Sequence, residues 1–268
     1  MKVIHISAEC FPIAKVGGLA DVVGALPIYQ NELNCSSKVI MPYYSNDFTK
    51  NSEFENIYES DLKLGDMTCE FQVLKIRSDM GFPLFLVKIP DLLDLEKVYG
   101  YENDTERFLT FQIAALDWIL QLNIKPDIIH CHDHHTGLIP FMMSHSKKYD
   151  LLKNTPSILT IHNAQYQGKF DFDKLNLIPV FDLSKIGLLD WDGFINPLAT
   201  AIKCAWRVTT VSPNYMEELK VSAKGLEGLI DHESDKCCGI VNGIDLNVWN
   251  PETDDYIIEK YSEKTVEL

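Results

Sequence analysis

The sequence predicts an α/β fold in which a parallel sheet is flanked by helices and carries an antiparallel hairpin insertion. Short apolar runs alternate with helix-patterned ones along most of the 268 residues, the order that builds right-handed strand–helix–strand crossovers. Between Leu62 and Ile89 the alternation fails: two strand-like runs, Phe71–Ile76 and Leu84–Ile89, follow one another across Ser78-Asp79-Met80-Gly81, a hairpin signal. The distinctive polar residues then fall at or after apolar runs, and open parallel sheets bind ligands at the carboxyl ends of their strands.

Val3-Ile4-His5-Ile6 opens the chain as a strand. A helix follows, because Leu19, Val22, Val23, Leu26 and Leu33 recur mostly at three- and four-residue steps. Lys38–Pro42 is a short strand closed by proline, followed by a polar, loop-like stretch through Asn56 and then the hairpin. Asn103 to Leu122 reads as a helix with Phe108, Phe111, Ala115, Trp118, Ile119 and Leu122 along one face, and Pro126 closes the connection after it. Asp127–Cys131 and Ser157–Ile161 are the next strands, with a helix from Thr136 onward between them. Residues 169–195 are aromatic and irregular, a pattern that suits short helices over a cleft. Asn196–Trp206 is helical and Arg207–Val211 a strand. Ser212-Pro213 supplies an N-cap and a proline at the first helical position. Gly239–Gly243 reads as a last short strand and turn.

Composition narrows the function classes. A net charge of −15 argues against DNA or RNA as a partner, since nucleic-acid binders need a basic face to release counterions. No apolar run approaches 18 residues, so no membrane span and no membrane partner is expected. Lys2, His5 and Glu9 interrupt the apolar start, unlike the unbroken core of an export signal. The seven cysteines are odd in number and lack a C-x-x-C pair, which fits reduced thiols in the cytoplasm.

Four stretches carry candidate chemistry. Lys15-Val16-Gly17-Gly18-Leu19-Ala20-Asp21 joins the first strand to the first helix. Its glycine pair lets backbone N–H groups approach an anion, the helix N-terminus adds partial positive charge, and Lys15 adds a full one, a setting for a nucleotide diphosphate. The alternative is a tight strand-to-helix turn with a solvated lysine, and neither G-x-G-x-x-G nor G-x-x-x-x-G-K-[ST] is present. His130-Cys131-His132-Asp133-His134-His135 invites a metal reading, with His130 and His132 on one strand face, but the acidic partners of a two-metal site are missing at the right spacing. Asp133 lies just past a strand end and can accept hydrogen bonds from sugar hydroxyls or, alternatively, cap a helix. His162-Asn163 offers an imidazole and an amide at another strand end. Tyr99 and Tyr101 lie in a polar loop where an aromatic can stack on a sugar or simply decorate the surface.

The run from Lys15 to Pro27 resembles the K-[TV]-G-G-L-A-D-V signature of bacterial glycogen synthases and plant starch synthases. Six later segments agree in the same order. Tyr101–Phe108 is similar to Y-x-D-N-x-x-R-F, with Asn103 and Asp104 transposed. Asp127–Gly137 resembles D-V-V-H-x-H-D-W-H-x-G, and Thr160–Gly168 resembles T-[IV]-H-N-x-x-Y-Q-G. Val211–Tyr215 and Gly225–Leu229 match V-S-P-x-Y and G-[ML]-E-G-L. Asn242–Asp245 with Trp249–Asp254 matches N-G-[IV]-D…W-x-P-x-T-D.

The resemblance implies retaining transfer of glucose from ADP-glucose to the non-reducing end of an α-1,4-glucan such as glycogen. No metal and no cofactor is implied, ADP-glucose being a substrate. It also implies the two-domain GT-B arrangement, with the site between two Rossmann-like domains. Residues 1–268 would form the acceptor-side, N-terminal domain of such an enzyme. Carried over by position, Lys15, Gly17 and Gly18 would meet the diphosphate or the transferred glucose. Asp21 would approach the acceptor, and Tyr101 would serve substrate binding. Asp133, His162 and Asn163 would hold the glucose, and Asn242 would sit near the interdomain crossover. Two departures stand out: His134 replaces the family's tryptophan, and the chain stops at Leu268, where the nucleotide-binding domain should begin. A donor-side domain on another chain, or self-association through an apolar face left by that domain, is then expected. The rival expectation is a non-catalytic glucan-binding or regulatory module.

Overall fold

The computed structural model describes residues 1–123, 125–243 and 249–265. In chain order the elements are β1 (Lys2–Ile6), α1 (Gly18–Glu32), β2 (Ser36–Pro42), α2 (Asp47–Lys50), β3 (Phe54–Leu64), β4 (Met67–Ile76) and β5 (Leu84–Lys88). Then come α3 (Asp104–Gln121), β6 (Ile128–His132), α4 (Ile139–His145), β7 (Ser157–Ile161), β8 (Asp190–Trp191) and β9 (Phe194–Ile195). The series closes with α5 (Pro197–Cys204), β10 (Arg207–Thr210), α6 (Pro213–Leu219), α7 (Glu227–His232) and β11 (Cys237–Gly239).

Nine strands form one sheet in the order β11-β10-β7-β6-β1-β2-β5-β4-β3. From β11 to β5 every pairing is parallel, while β4 runs antiparallel to both β5 and β3. The predicted mixed architecture therefore holds. Its antiparallel part is larger than the sequence reading allowed. β3 begins at Phe54, inside the stretch read as a loop, and a second hairpin turns at Gly65 with φ +58°. At the other end, the last strand ends at Gly239 rather than starting there.

Two apolar layers sandwich the sheet. On one face, Ile4, Ile6, Ile129, Cys131, Leu159 and Ile161 pack in a core with α3, α4 and α5. On the other, α1 lays Leu19 and Val23 over Val39, Met41, Leu84 and Leu86. Each such fully buried side chain contributes about 1.5–3 kcal/mol. The Ser212-Pro213 cap expected from the sequence is present, Ser212 Oγ accepting from the Tyr215 N–H at 3.0 Å with Pro213 at N1, and the structure adds a second cap, Asn196 on α5. Because β1, β6 and β7 are parallel neighbours, the loops after them emerge on one edge of the sheet.

A candidate active site at the carboxyl ends of the strands

A cavity of about 910 Å³ opens at that edge, and its wall includes Gly17, Gly18, Asp133, His162, Asn163 and Asn242. Six of the nine site residues expected from the sequence are thus brought together. The other three lie elsewhere. Lys15 pairs with Asp21 at 2.8 Å, both side chains about half exposed. Tyr101 lies over the guanidinium of Arg107, 4.5 Å from ring centre to Cζ, and its hydroxyl accepts from the Lys97 N–H at 3.0 Å. Arg107, fully buried, also donates to the carbonyls of Leu92 and Val98 and pairs with Asp104, so it fixes the whole loop before α3. Ile244 and Asp245 of the late motif lie outside the described residues.

The glycine loop is built around a residue the sequence reading passed over. Glu9, buried just after β1, accepts from the N–H groups of Val16 at 2.5 Å and Gly17 at 3.1 Å, and from the Tyr99 hydroxyl at 2.6 Å. Two of the amides expected to meet a phosphate are therefore held by an internal carboxylate. What remains for an anion is the start of α1, where the Ala20 N–H already bonds the Gly17 carbonyl at 3.3 Å and the N–H groups of Gly18 and Leu19 precede it. Gly17 has an ordinary extended conformation, and a Cβ at Gly17 or Gly18 would meet nothing within 4 Å. Packing within the chain therefore does not demand glycine at either position; what a side chain would fill is cavity. The position of Glu9, at a strand end like Asp133, was the signal available in the sequence.

Asp133 follows β6 with φ 55° and ψ −174°, a conformation that costs about 1–3 kcal/mol for a residue with a side chain. It caps no helix. Its Oδ1 instead accepts from the N–H of His162 at 2.7 Å and from that of Asn163 at 3.4 Å, tying the ends of β6 and β7 together. Burial raises the Asp133 carboxyl to about 7, against the lowering effect of those two amides, so it titrates near neutrality.

Parallel register puts His5 beside His130, and His132 beside Thr160, so the three imidazoles share one sheet face. His130 stacks on His132 at 4.3 Å, and His5 is tilted by 37° against His130 at 4.8 Å. Their nitrogens lie within 4.8 Å of one another, close enough to raise the metal reading again. The bonds oppose it. His5 Nδ1 bonds His132 Nε2 at 3.1 Å, His130 Nε2 bonds Thr160 Oγ1 at 2.7 Å, and His132 Nδ1 bonds His162 Nε2 at 3.0 Å. With both nitrogens of His5 and of His132 engaged by other side chains, the set does not offer three free lone pairs to one tetrahedral ion. Burial lowers His5 and His162 to about 4 and His132 well below its ordinary range, so all three are neutral at pH 7.

His134 and His135 form a further wall. Tyr99 stacks on His135 at 4.6 Å, and the His134 ring fits against Gly168, where an added Cβ would come within 2.5 Å of its Cδ2. Neither Nδ1 has a hydrogen-bond partner among the described residues.

Comparison with known proteins agrees with this geometry. The starch synthase catalytic domain family matches residues 2–232. Glycogen synthase of Flavobacterium johnsoniae is 52% identical over 269 residues, covering 100% of this chain and 57% of that protein. The glycogen synthase of Streptococcus agalactiae serotype III is 36% identical, again over 100% of this chain and 57% of the relative. Among solved structures, the catalytic domain of starch synthase IV from Arabidopsis thaliana, bound to ADP and acarbose, superposes with a TM-score of 0.86 at 29% identity. That match covers 98% of this chain and 56% of the other. The chain spans a little over half the length of the relatives it matches. With the cavity at the expected strand ends and the family match running from β1 through α7, the chain belongs to the starch synthase catalytic domain family.

Proposed function

We propose that the whole protein transfers glucose from ADP-glucose to the non-reducing end of an α-1,4-glucan such as glycogen, retaining configuration and using neither a metal nor another cofactor. The observation that carries this reading is that Asp133, His162 and Asn163 line one cavity together with Gly17 and Gly18. In this reading Asp133 faces the sugar, and its carboxylate form favours positive charge building on the anomeric carbon. The start of α1 and Lys15, once released from Asp21, offset charge on the departing diphosphate. Asp21 and Tyr101 would act on the acceptor side through the loops they hold, and Asn242 at the crossover to the donor side.

ADP and acarbose in the matched starch synthase IV domain support an adenine nucleotide and a glucan as the ligands here. This chain would be the acceptor-side domain, with the adenine and ribose contacts supplied by a nucleotide-binding domain on the same or another polypeptide. The cytoplasm is the proposed location: all seven cysteines are free, and among the described residues no helix is long and apolar enough to cross a membrane.

The test is incorporation of labelled glucose into glycogen by the full-length protein, with ADP-glucose and UDP-glucose compared in parallel. Incorporation from ADP-glucose at least about tenfold faster than from UDP-glucose, a difference of about 1.4 kcal/mol, supports the reading. Glycogen binding with no incorporation from either donor would leave a glucan-binding module instead.

A further inference from the structure

One face of the sheet carries a row of polar groups buried between the two apolar layers. Ser37, His5 and His132 are at most 1% exposed. Buried polar groups are retained only when their hydrogen bonds are satisfied, and here they are satisfied by one another. The row begins at the flank of α1, where Ser37 Oγ donates to Gln30 Oε1 at 2.6 Å and the same oxygen contacts His5 Nε2 at 2.8 Å. It continues from His5 Nδ1 to His132 Nε2 at 3.1 Å and ends with His132 Nδ1 to His162 Nε2 at 3.0 Å. Three imidazoles thus join the far side of α1 to the cavity wall.

A neutral imidazole has one N–H and one lone pair, so in such a row each ring accepts at one nitrogen and donates from the other. The direction is then set at the end of the row. The Gln30 oxygen only accepts, which makes His5 Nε2 the donor and His5 Nδ1 the acceptor. His132 must then donate from Nε2 and accept at Nδ1, and His162 must donate from Nε2. The nitrogen left over is His162 Nδ1, which has no partner among the described residues on a side chain that lines the cavity.

We propose that the Gln30–His5–His132 row fixes His162 as its Nε2–H tautomer, so that His162 Nδ1 meets the ligand as a hydrogen-bond acceptor for a hydroxyl group. Gln30, His5 and His132 are positioning residues in this scheme, and none touches the ligand. The polarity also discriminates. A neutral acceptor nitrogen receives a hydroxyl proton but confronts a phosphate or carboxylate oxygen lone pair to lone pair. That the hydroxyl belongs to a sugar rests on the function proposed above; the polarity of the row does not.

The test is 15N NMR of the full-length protein labelled at its histidine imidazoles at pH 7, with the His162 signals assigned by their loss in His162→Asn. In the unmodified protein His162 Nδ1 should show the downfield shift of an unprotonated ring nitrogen and Nε2 the upfield shift of a protonated one. Gln30→Lys places a group that only donates at the head of the row, on a part-buried helix position, and should exchange the two His162 shifts, three hydrogen bonds away. Gln30→Leu, which neither donates nor accepts, should leave the two tautomers mixed. A proton on His162 Nδ1 in the unmodified protein would overturn the proposal whether or not either variant folds. So would His162 shifts that stay put in a folded Gln30→Lys protein. If the shifts behave as expected while no glucose is incorporated from any donor, the row stands and the glucosyl-transfer reading falls.

Discussion

The two walls of the cavity are built on opposite plans. The glycine wall carries the charges most visible in the sequence, and the fold has largely spent them: Glu9 occupies two loop amides, and Lys15 is engaged by Asp21 outside the cavity. The histidine wall carries little formal charge but holds its groups under constraint. Asp133 sits in a strained backbone conformation, and His132 is sealed from solvent with His162 bonded to it. Charge near a site in sequence is therefore a poor guide to charge presented by the site. Constraint is the better one, because strained and buried polar groups persist only where the surrounding structure enforces them.

The largest expected contrast between the walls is in their response to acid. His5, His134 and His162 titrate near 4 in the fold against 6.5 in an open chain. Their contribution is complete above pH 6.5 and lost as pH falls towards 4, because the unfolded chain then binds protons that the fold refuses. For fully buried His5 this amounts to about 3 kcal/mol, and to less for the two that border the cavity. Asp133 opposes them: raised to about 7, it makes stability fall as pH rises from about 4 to 7. Asp117, also raised by burial, acts in the same sense as Asp133; the more numerous buried histidines outweigh the two carboxyls, so the thermal midpoint should climb between pH 4 and 6.5, and His5→Asn should flatten that climb. A midpoint that is level or falling across the window would remove the basis for calling this wall constrained.

Next in size is the chemistry of Asp133. Asp133→Asn keeps an oxygen for the His162 and Asn163 amides while deleting the charge, so the fold should survive. Glucose incorporation should drop by about 10²–10³, the usual cost of losing one preorganised electrostatic contact. Retention of near-normal turnover in a folded variant would move the chemistry off this wall.

On the glycine wall the test is space rather than charge. Gly18→Ala adds a methyl where nothing lies within 4 Å, at the first position of α1, and alanine favours a helix over glycine by up to about 1 kcal/mol. Stability should hold or rise slightly, while turnover falls by about tenfold as the methyl intrudes on the ligand. Gly137→Ala is the control. Its Cβ would lie 2.4 Å from the Pro197 carbonyl oxygen, so it should destabilise the fold by about 1–3 kcal/mol as seen by thermal unfolding. If both glycines behave alike, the space at Gly18 is not ligand space.

The sequence made the histidine wall partly legible. The alternation His130-x-His132 on an apolar run placed two rings on one face, and Asp133 after the strand end read as a ligand group. What it could not disclose was the partner, since His5 and His132 are 127 positions apart and meet only through the β1–β6 pairing. Glu9 was hidden for a related reason: beside an apolar run it read as an interruption, and its three donors come from residues 16, 17 and 99. β3 escaped because it is an edge strand. Only Leu62 and Leu64 of its 11 residues are buried, so no two-residue period marks it. The helices were the clearest, α3 above all, where Phe108, Phe111, Ala115, Trp118 and Ile119 are buried as their spacing required.

The smallest expected effect is the most informative about the glycine wall. The Lys15–Asp21 pair is about half exposed at both ends, and such pairs contribute about 1 kcal/mol or less to stability. Lys15→Met should therefore leave the thermal midpoint almost unchanged. If Lys15 exchanges Asp21 for a diphosphate, the same variant should weaken ADP binding to the full-length protein, and the loss should shrink as salt screens the charge. Asp21→Asn then supplies the opposite sign. It removes the internal competitor without removing the amine, so ADP should bind slightly more tightly than to the unmodified protein, as read by titration calorimetry. Equal weakening in both variants would mean that the ligand needs the pair intact, and that Lys15 holds the loop rather than the phosphate.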